Sequence, residues 1–254
     1  MGIIQNENAI PVTGATGFYS YHIEQSVMLN SASSSNLSLA SGNTSGNNDY
    51  WTLSWWWQSS PISTDQTILG AGSGTGNSDN YLELRLRTNS DNTIRSSSTV
   101  ANVFTTTAMY RDPSGWTHGC WNNNNGTSTL YVNGTQVASG SLDGGSGGAI
   151  NSKNMTIGKY TLGSSQYFNG YLAEMIMISH SSSSAVLTPT SFTETKNGVL
   201  IPKDVSTLSN KDFYLKFESA SDLGNDSSGN NRDWVANNMG TDHQSKSSPT
   251  FTTD

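Results

Sequence analysis

Residues 50–60 read YWTLSWWWQSS, with tryptophan at positions 51, 55, 56 and 57. That much indole in one short stretch has to be covered by something, and the spacing separates the rings. Side chains alternate across a β-strand. Trp51, Leu53, Trp55 and Trp57 therefore share one face, and Thr52, Ser54, Trp56 and Gln58 share the other. Four large apolar groups on one face need a second sheet packed against them. Trp56 stands on the polar face, where a ring either stacks on a sugar or is covered by a loop. Segment 181–211 needs an apolar surface for Val186, Leu187, Phe192 and Leu200. Loop cover is therefore the expectation, with Trp56 more than half buried.

The rest of the chain agrees with an all-β sandwich. Only 33% of its 254 residues are hydrophobic and 12% charged, yet seven Trp, ten Tyr and seven Phe supply a core. Strand patterns are expected over 18–30, 50–58, 66–70, 80–88, 99–110, 115–121, 127–133, 135–139, 154–159, 167–178 and 212–218. Turn-forming runs such as NNNNG (122–126) separate them. In YLELRLR (81–87), Leu82, Leu84 and Leu86 alternate with Tyr81, Glu83, Arg85 and Arg87, the signature of a half-buried strand. Asn133-Gly134 lies between two apolar runs and signals a hairpin. Helix is limited to a short piece around Pro189. No linker separates two cores, so the expected organisation is an arm over 1–17, a sandwich over 18–235 and a polar tail over 236–254.

Several chemistries are disfavoured. A net charge of −7 with scattered basic residues argues against nucleic acid. No apolar run suits membrane insertion, and the first residues lack the basic and apolar regions of a signal peptide. A single cysteine, Cys120, allows no internal disulfide and is expected to be a small buried group. Glycoside hydrolysis needs two carboxyl groups flanking one bond. Glu24, Glu83, Glu174 and Glu218 each stand alone on their strands. The four histidines have no zinc spacing, and His118 reads as a satisfied packing residue. No cofactor is expected. Asp49, Asp79 and Asp226, in Asn/Asp-rich loops, are the candidate donors for a structural calcium. If the protein binds a glycan, the candidate contacts are Trp56, Asn123 and Asn124.

One ordered series of motifs says more. HIEQSVMLNSASSSNLSLA, YWTLSWWWQ, MYRDPSGWTH, LYVNGTQV, MTIGKY, YFNGYLAEMIMI, LTPTSFTET, GVLIPK and FYLKFESASDLGNDSSGNNRDW follow one another across residues 22–234. The series resembles the concanavalin A-like, LamG-type jelly-roll virion proteins of tailed bacteriophages. The resemblance implies a two-sheet jelly roll, a hairpin over Tyr131–Gly134, an outer strand at FNGYLAE and a packing role for Trp56. It also implies a non-catalytic virion protein, a head decoration, fibre or tail-fibre component assembled in the host cytoplasm. Such a protein would stabilise the particle and adhere to cell-surface or environmental glycans. Its partners would be further copies of itself and other virion proteins, the latter held through the arm with its Ile3, Ile4, Ile10 and Val12. The alternatives are a lectin or adhesin without a structural role and, with less support, a glycoside hydrolase.

Overall fold

The computed structural model describes residues 17–40, 49–60, 62–72, 81–98, 102–142, 150 and 153–250. The expected arm lies outside this set except for Gly17. Chain order gives β1 (Ser26–Leu29), β2 (Asn36–Leu39), β3 (Tyr50–Ser59), β4 (Gln66–Gly72), β5 (Tyr81–Leu86) and β6 (Ile94–Ser98). Then follow β7 (Asn102–Thr105), β8 (Thr117–Asn124), β9 (Thr127–Val132), β10 (Thr135–Ser141), β11 (Asn154–Ile157) and β12 (Gly170–Ser179). The remainder are β13 (Thr193–Lys196), β14 (Val199–Pro202), β15 (Lys211–Leu215), β16 (Val235–Asn237) and β17 (Gln244–Ser245). Single 3₁₀ turns occur at Ser183–Ala185 and Pro189–Ser191, among others.

Two antiparallel sheets form a jelly-roll sandwich. The eight-stranded sheet runs β10-β9-β8-β3-β12-β1-β17, with β15 also paired to β12. The seven-stranded sheet runs β16-β2-β11-β4-β5-β6-β7. Between them lie Trp51, Leu53, Trp55 and Trp57 from β3, with Trp121 from β8. Leu82, Leu84 and Leu86 from β5 and Met155 and Ile157 from β11 meet them from the other sheet. The alternation read from sequence thus holds on both sides of the core. The Asn133-Gly134 hairpin forms as expected, both residues having positive φ (47° and 80°), as a type I′ turn demands. Cys120 is buried and free, its thiol pushed up by burial.

The outer face of the eight-stranded sheet is also covered. Cys120, Ile176, Ile178, Phe192, Val205 and Tyr214 form one cluster there, and Ile23, Trp56 and Ala173 form another. The covering layer comes from residues 17–25 and from segment 181–208, with Leu187, Leu200 and Leu208 packed into it.

Four expectations are corrected. The strand read as 99–110 shrinks to β7 (Asn102–Thr105) among its described residues, and β6 (Ile94–Ser98), which precedes it, was not expected. The FNGYLAE strand is not an outer one. β12 pairs β3 on one side and both β1 and β15 on the other, because its apolar run is buried on both faces. The described part of the expected tail over 236–254, residues 236–250, is not a simple tail: β16 pairs β2, and β17 pairs β1. Thr250 Oγ1 also accepts from the Ile23 amide at 2.9 Å, so short polar strands satisfy edges the sheets would otherwise leave open. Finally, Asn122, Asn123 and Asn124 belong to β8, and the turn itself is only Asn125-Gly126.

Candidate functional site

Outward positions of β8 and β9 follow the same alternation as the core. With Trp121 and Leu130 inward, Asn122 and Asn124 on β8 and Thr127, Thr129 and Tyr131 on β9 face out. Tyr50 joins them from the start of β3, and Ser183, Val186 and Thr188 form the opposite wall. The cleft between them has a volume of about 520 Å³. A second cleft of about 410 Å³ runs on past the Asn133-Gly134 turn toward Glu194 and Leu200. Tyr131 and Thr188 border both, so the two make one groove.

The wall is anchored to the sheet. Asn122 Nδ2 donates to the Leu187 carbonyl at 3.1 Å, and Thr52 Oγ1 donates to the same oxygen at 3.3 Å. The His180 amide donates to the Tyr50 carbonyl at 2.8 Å, and its Nε2 lies 2.9 Å from Thr52 Oγ1. Burial lowers the His180 pKa to about 4, so this contact involves a neutral ring at pH 7. Among the described residues no carboxylate, ammonium or guanidinium group lines the first cleft. The second contributes only Glu194. Tyr50 and Tyr131 are half-buried, each presenting part of a ring and a hydroxyl, and burial raises the pKa of Tyr131. Amides, hydroxyls and two aromatic rings in the first cleft suit a neutral polyhydroxylated ligand, whose C–H faces stack and whose hydroxyls exchange hydrogen bonds.

The residues singled out in the sequence scatter. Asn124 lines the groove. Asn123 does not: it faces inward, 1% exposed, with Nδ2 donating to the Asp49 carbonyl at 3.0 Å. Trp56 is 5% exposed, covered by Ile23, Trp116 and Leu200, with His118 5.0 Å away on the same face. Its ring is out of reach of a ligand, and its assignment as a contact is corrected to packing. His118 is fully buried, with Nε2 2.9 Å from Ser54 Oγ and its pKa lowered by burial to about 3.

Asp226 is committed to its own loop. Oδ1 accepts from the Tyr214 and Ser228 amides at 2.8 and 2.9 Å. Oδ2 accepts from Ser228 Oγ at 2.6 Å and the Arg232 amide at 3.0 Å. A carboxylate so occupied has nothing left for a cation, and its candidacy as a calcium donor is corrected accordingly. Asp49 holds its place through its carbonyl, which also accepts from the Asn125 amide at 2.7 Å. Asp79 lies outside the described residues. Among the described residues no three His, Cys, Asp or Glu side chains converge on a metal position.

The sequence pattern did not single out Tyr50, Thr127, Thr129, Tyr131 or Ser183 as groove residues. Thr127, Thr129 and Tyr131 stand at alternate positions before the Asn-Gly turn, a signal that alternation carries. Ser183 carries none, because a loop folded across the sheet supplies it.

Two apposed antiparallel sheets with a grooved outer face define a lectin-like β-sandwich. The chain belongs to the concanavalin A-like lectin/glucanases superfamily, whose Laminin_G_3 model matches residues 31–188. No curated protein matches it in sequence. Among solved structures it is similar to a protein of Bacteroides ovatus assigned to carbohydrate binding, at 15% identity and a TM-score of 0.57. That match covers 85% of this chain, which spans 59% of the other protein's length. A SAP-like pentraxin from Limulus polyphemus aligns at 12% identity and a TM-score of 0.46, over 73% of this chain and 94% of its own. Tailspike protein 2 of the Escherichia coli O157:H7 bacteriophage CAB120 aligns at 12% identity and a TM-score of 0.43, over 62% of this chain and 24% of its own.

Proposed function

We propose that this protein is a non-catalytic jelly roll that adheres to neutral glycans through the groove bordered by Tyr50 and Tyr131. One observation carries the reading: among the described residues the first cleft is lined by amides, hydroxyls and two partly exposed tyrosines, with no charged side chain. Hydrolysis of a glycosidic bond would need two carboxyl groups at that position. The fold shared with the Bacteroides ovatus protein agrees with glycan adhesion. The motif series over residues 22–234 supports a place for the protein on a tailed-phage particle, as a head decoration, fibre or tail-fibre component. In that setting the sandwich displays the groove, and residues 1–17 dock on neighbouring virion proteins or further copies.

A glycan array probed with the full chain and with Tyr131→Ala tests the adhesion. Neutral oligosaccharides should bind, and Tyr131→Ala should weaken them about tenfold, since an aromatic contact of ~1.4 kcal/mol is worth that factor. Binding indifferent to Tyr131, or no glycan bound at all, refutes the groove. Antibody labelling of purified particles tests the setting, and unlabelled heads and tails refute it.

A further inference from the structure

Where β12 changes partners, the chain builds a second cavity that the groove does not explain. β1 pairs β12 at Gly170–Leu172, and β15 pairs it at Met175–Ile178. Between them the β3 register slips, Trp56 facing Ala173 and Ser54 facing Ile176. Glu174 occupies this bulge with φ 47°, a conformation that costs a non-glycine residue roughly 1–3 kcal/mol. The extra residue lets Leu172 and Met175 both face the core and turns Glu174 to the outer side.

There the Glu174 side chain is 5% exposed and lines a cavity of about 200 Å³ with Tyr21, His22, Glu24, Lys216 and Glu218. Its Oε1 accepts from the Tyr21 hydroxyl at 2.7 Å and from the Tyr214 hydroxyl, and the two hydroxyls are 3.1 Å apart. Among the described residues nothing hydrogen-bonds Oε2. The carboxylate is thus gripped by one oxygen and presents the other to the cavity. Oε2 is not closed off within the protein, so a donor entering the cavity can reach it.

We infer that this cavity binds a small polar ligand through a protonated primary amine, seated on Oε2 of Glu174. Acidic groups outnumber basic ones in the described lining, which holds Glu24, Glu174 and Glu218 with Lys216 and His22, and this favours a cation. The Lys216 ammonium is already 3.6 Å from Glu218, and Asp204 adds negative potential at Glu174. A metal ion fits less well. No triad of ligating side chains converges among the described residues, and an ammonium already lines the space. The volume lies below the ~300–1,000 Å³ of drug-sized sites and suits one monosaccharide or a short amine.

Glu218, with its side chain 52% exposed, is paired to Lys216 and accepts from Ser227 Oγ at 3.1 Å, so it does not stand opposite Glu174 as a second reacting carboxyl. Burial raises the Glu174 pKa to about 7, against the hydrogen bonds from Tyr214 and Tyr21 and the charge of Lys216. Amine affinity should therefore rise between pH 6 and 8 as the acid ionises. The Tyr21 and Tyr214 phenols, His22, Glu24, Lys216, Glu218 and Asp204 are the other described ionisable groups around it.

Calorimetric titration of the full chain with glucosamine, 1,4-diaminobutane and N-acetylglucosamine tests the inference. Glucosamine or the diamine should bind saturably, and N-acetylglucosamine, whose nitrogen carries no charge, should not bind here. Preference for glucosamine identifies an amino sugar, and preference for the diamine a free polyamine. Glu174→Gln keeps the acceptor for both tyrosines and should weaken amine binding at least tenfold, while Tyr131→Ala should leave it unchanged. Should Glu174→Gln fail to fold, Lys216→Gln removes the competing ammonium and should tighten the amine severalfold. Silence toward both amines at tens of millimolar, equal binding of N-acetylglucosamine by Tyr131→Ala, whose groove is weakened, or affinity unmoved in the Glu174 and Lys216 variants overturns the inference.

Discussion

Substituting Gly119 by alanine would place a methyl group where the sandwich has no room. The new Cβ would fall 2.3 Å from Cζ2 of Trp55 and 2.5 and 2.6 Å from its Cε2 and Cη2. Gly119 faces Trp55 directly in the β3–β8 register. The indole cannot retreat cheaply, being 0% exposed and stacked on Trp57 with centroids 5.7 Å apart at 28°. Overpacking typically costs about 1–3 kcal/mol, and displacing a buried ring puts Gly119→Ala near ~3 kcal/mol. Truncating the ring instead exposes the opposite fault. Roughly 200 Å² of aromatic surface at ~25 cal/mol per Å² is about 5 kcal/mol, and measured truncations lie near 3–5 kcal/mol. In Trp55→Ala/Gly119→Ala the methyl enters the space the ring has left, so the second substitution should add almost nothing. The double-mutant cycle should therefore show a coupling of about 2–3 kcal/mol. Urea unfolding of the four proteins supplies the midpoints, with unchanged m-values as the check on a common denatured state. Costs that add to within ~0.5 kcal/mol, or a Gly119→Ala midpoint equal to that of the parent, would refute the facing of Trp55 and Gly119.

Trp56→Ala should cost about 2–4 kcal/mol by denaturation midpoint yet leave groove affinity nearly intact on the glycan array; intact stability with lost affinity would contradict its packing role. Asp226→Ala strands the Tyr214, Ser228 and Arg232 amides and should cost about 3 kcal/mol or more, while added calcium should not raise the parent's midpoint. A calcium-dependent rise abolished by Asp226→Asn would reverse that assignment. For pH, the His118 pKa is lowered in the fold to about 3 from an unfolded value of 6.5, so its stabilisation is complete above pH 6.5. It is lost as pH falls toward 3, by as much as roughly 5 kcal/mol. Glu174 acts in the opposite sense: its pKa is raised to about 7 from 4.5, so its contribution is full below pH 4.5 and declines as pH rises toward 7. The difference between the stability–pH curves of the parent and His118→Gln isolates the histidine, and parallel curves would show that it is not buried as a neutral ring.

Local rules make the core legible in the order of residues alone. The period of two assigns Trp51, Leu53, Trp55 and Trp57 to one face and Leu82, Leu84 and Leu86 to another, and the Asn133-Gly134 pair marks its hairpin. These signals survive because strand alternation and turn preference act over a few residues and do not depend on what packs beyond them. The burial of Trp56 was legible in part, since segment 181–211 needed a surface, but the share taken by Tyr21 and Ile23 was not. Tertiary structure alone decided the rest. Residues 236–250 read as polar tail because β16 and β17 owe their pairing to β2 and β1, some two hundred positions away. Glu174 read as an isolated acid because a bulge adds one residue and breaks the alternation that reading relies on. The groove joins a strand face to a loop folded across it, and Asn123 turns inward while Asn124 lines it. Such features depend on where distant segments are brought together, and a free energy shared between segments leaves no pattern within either one.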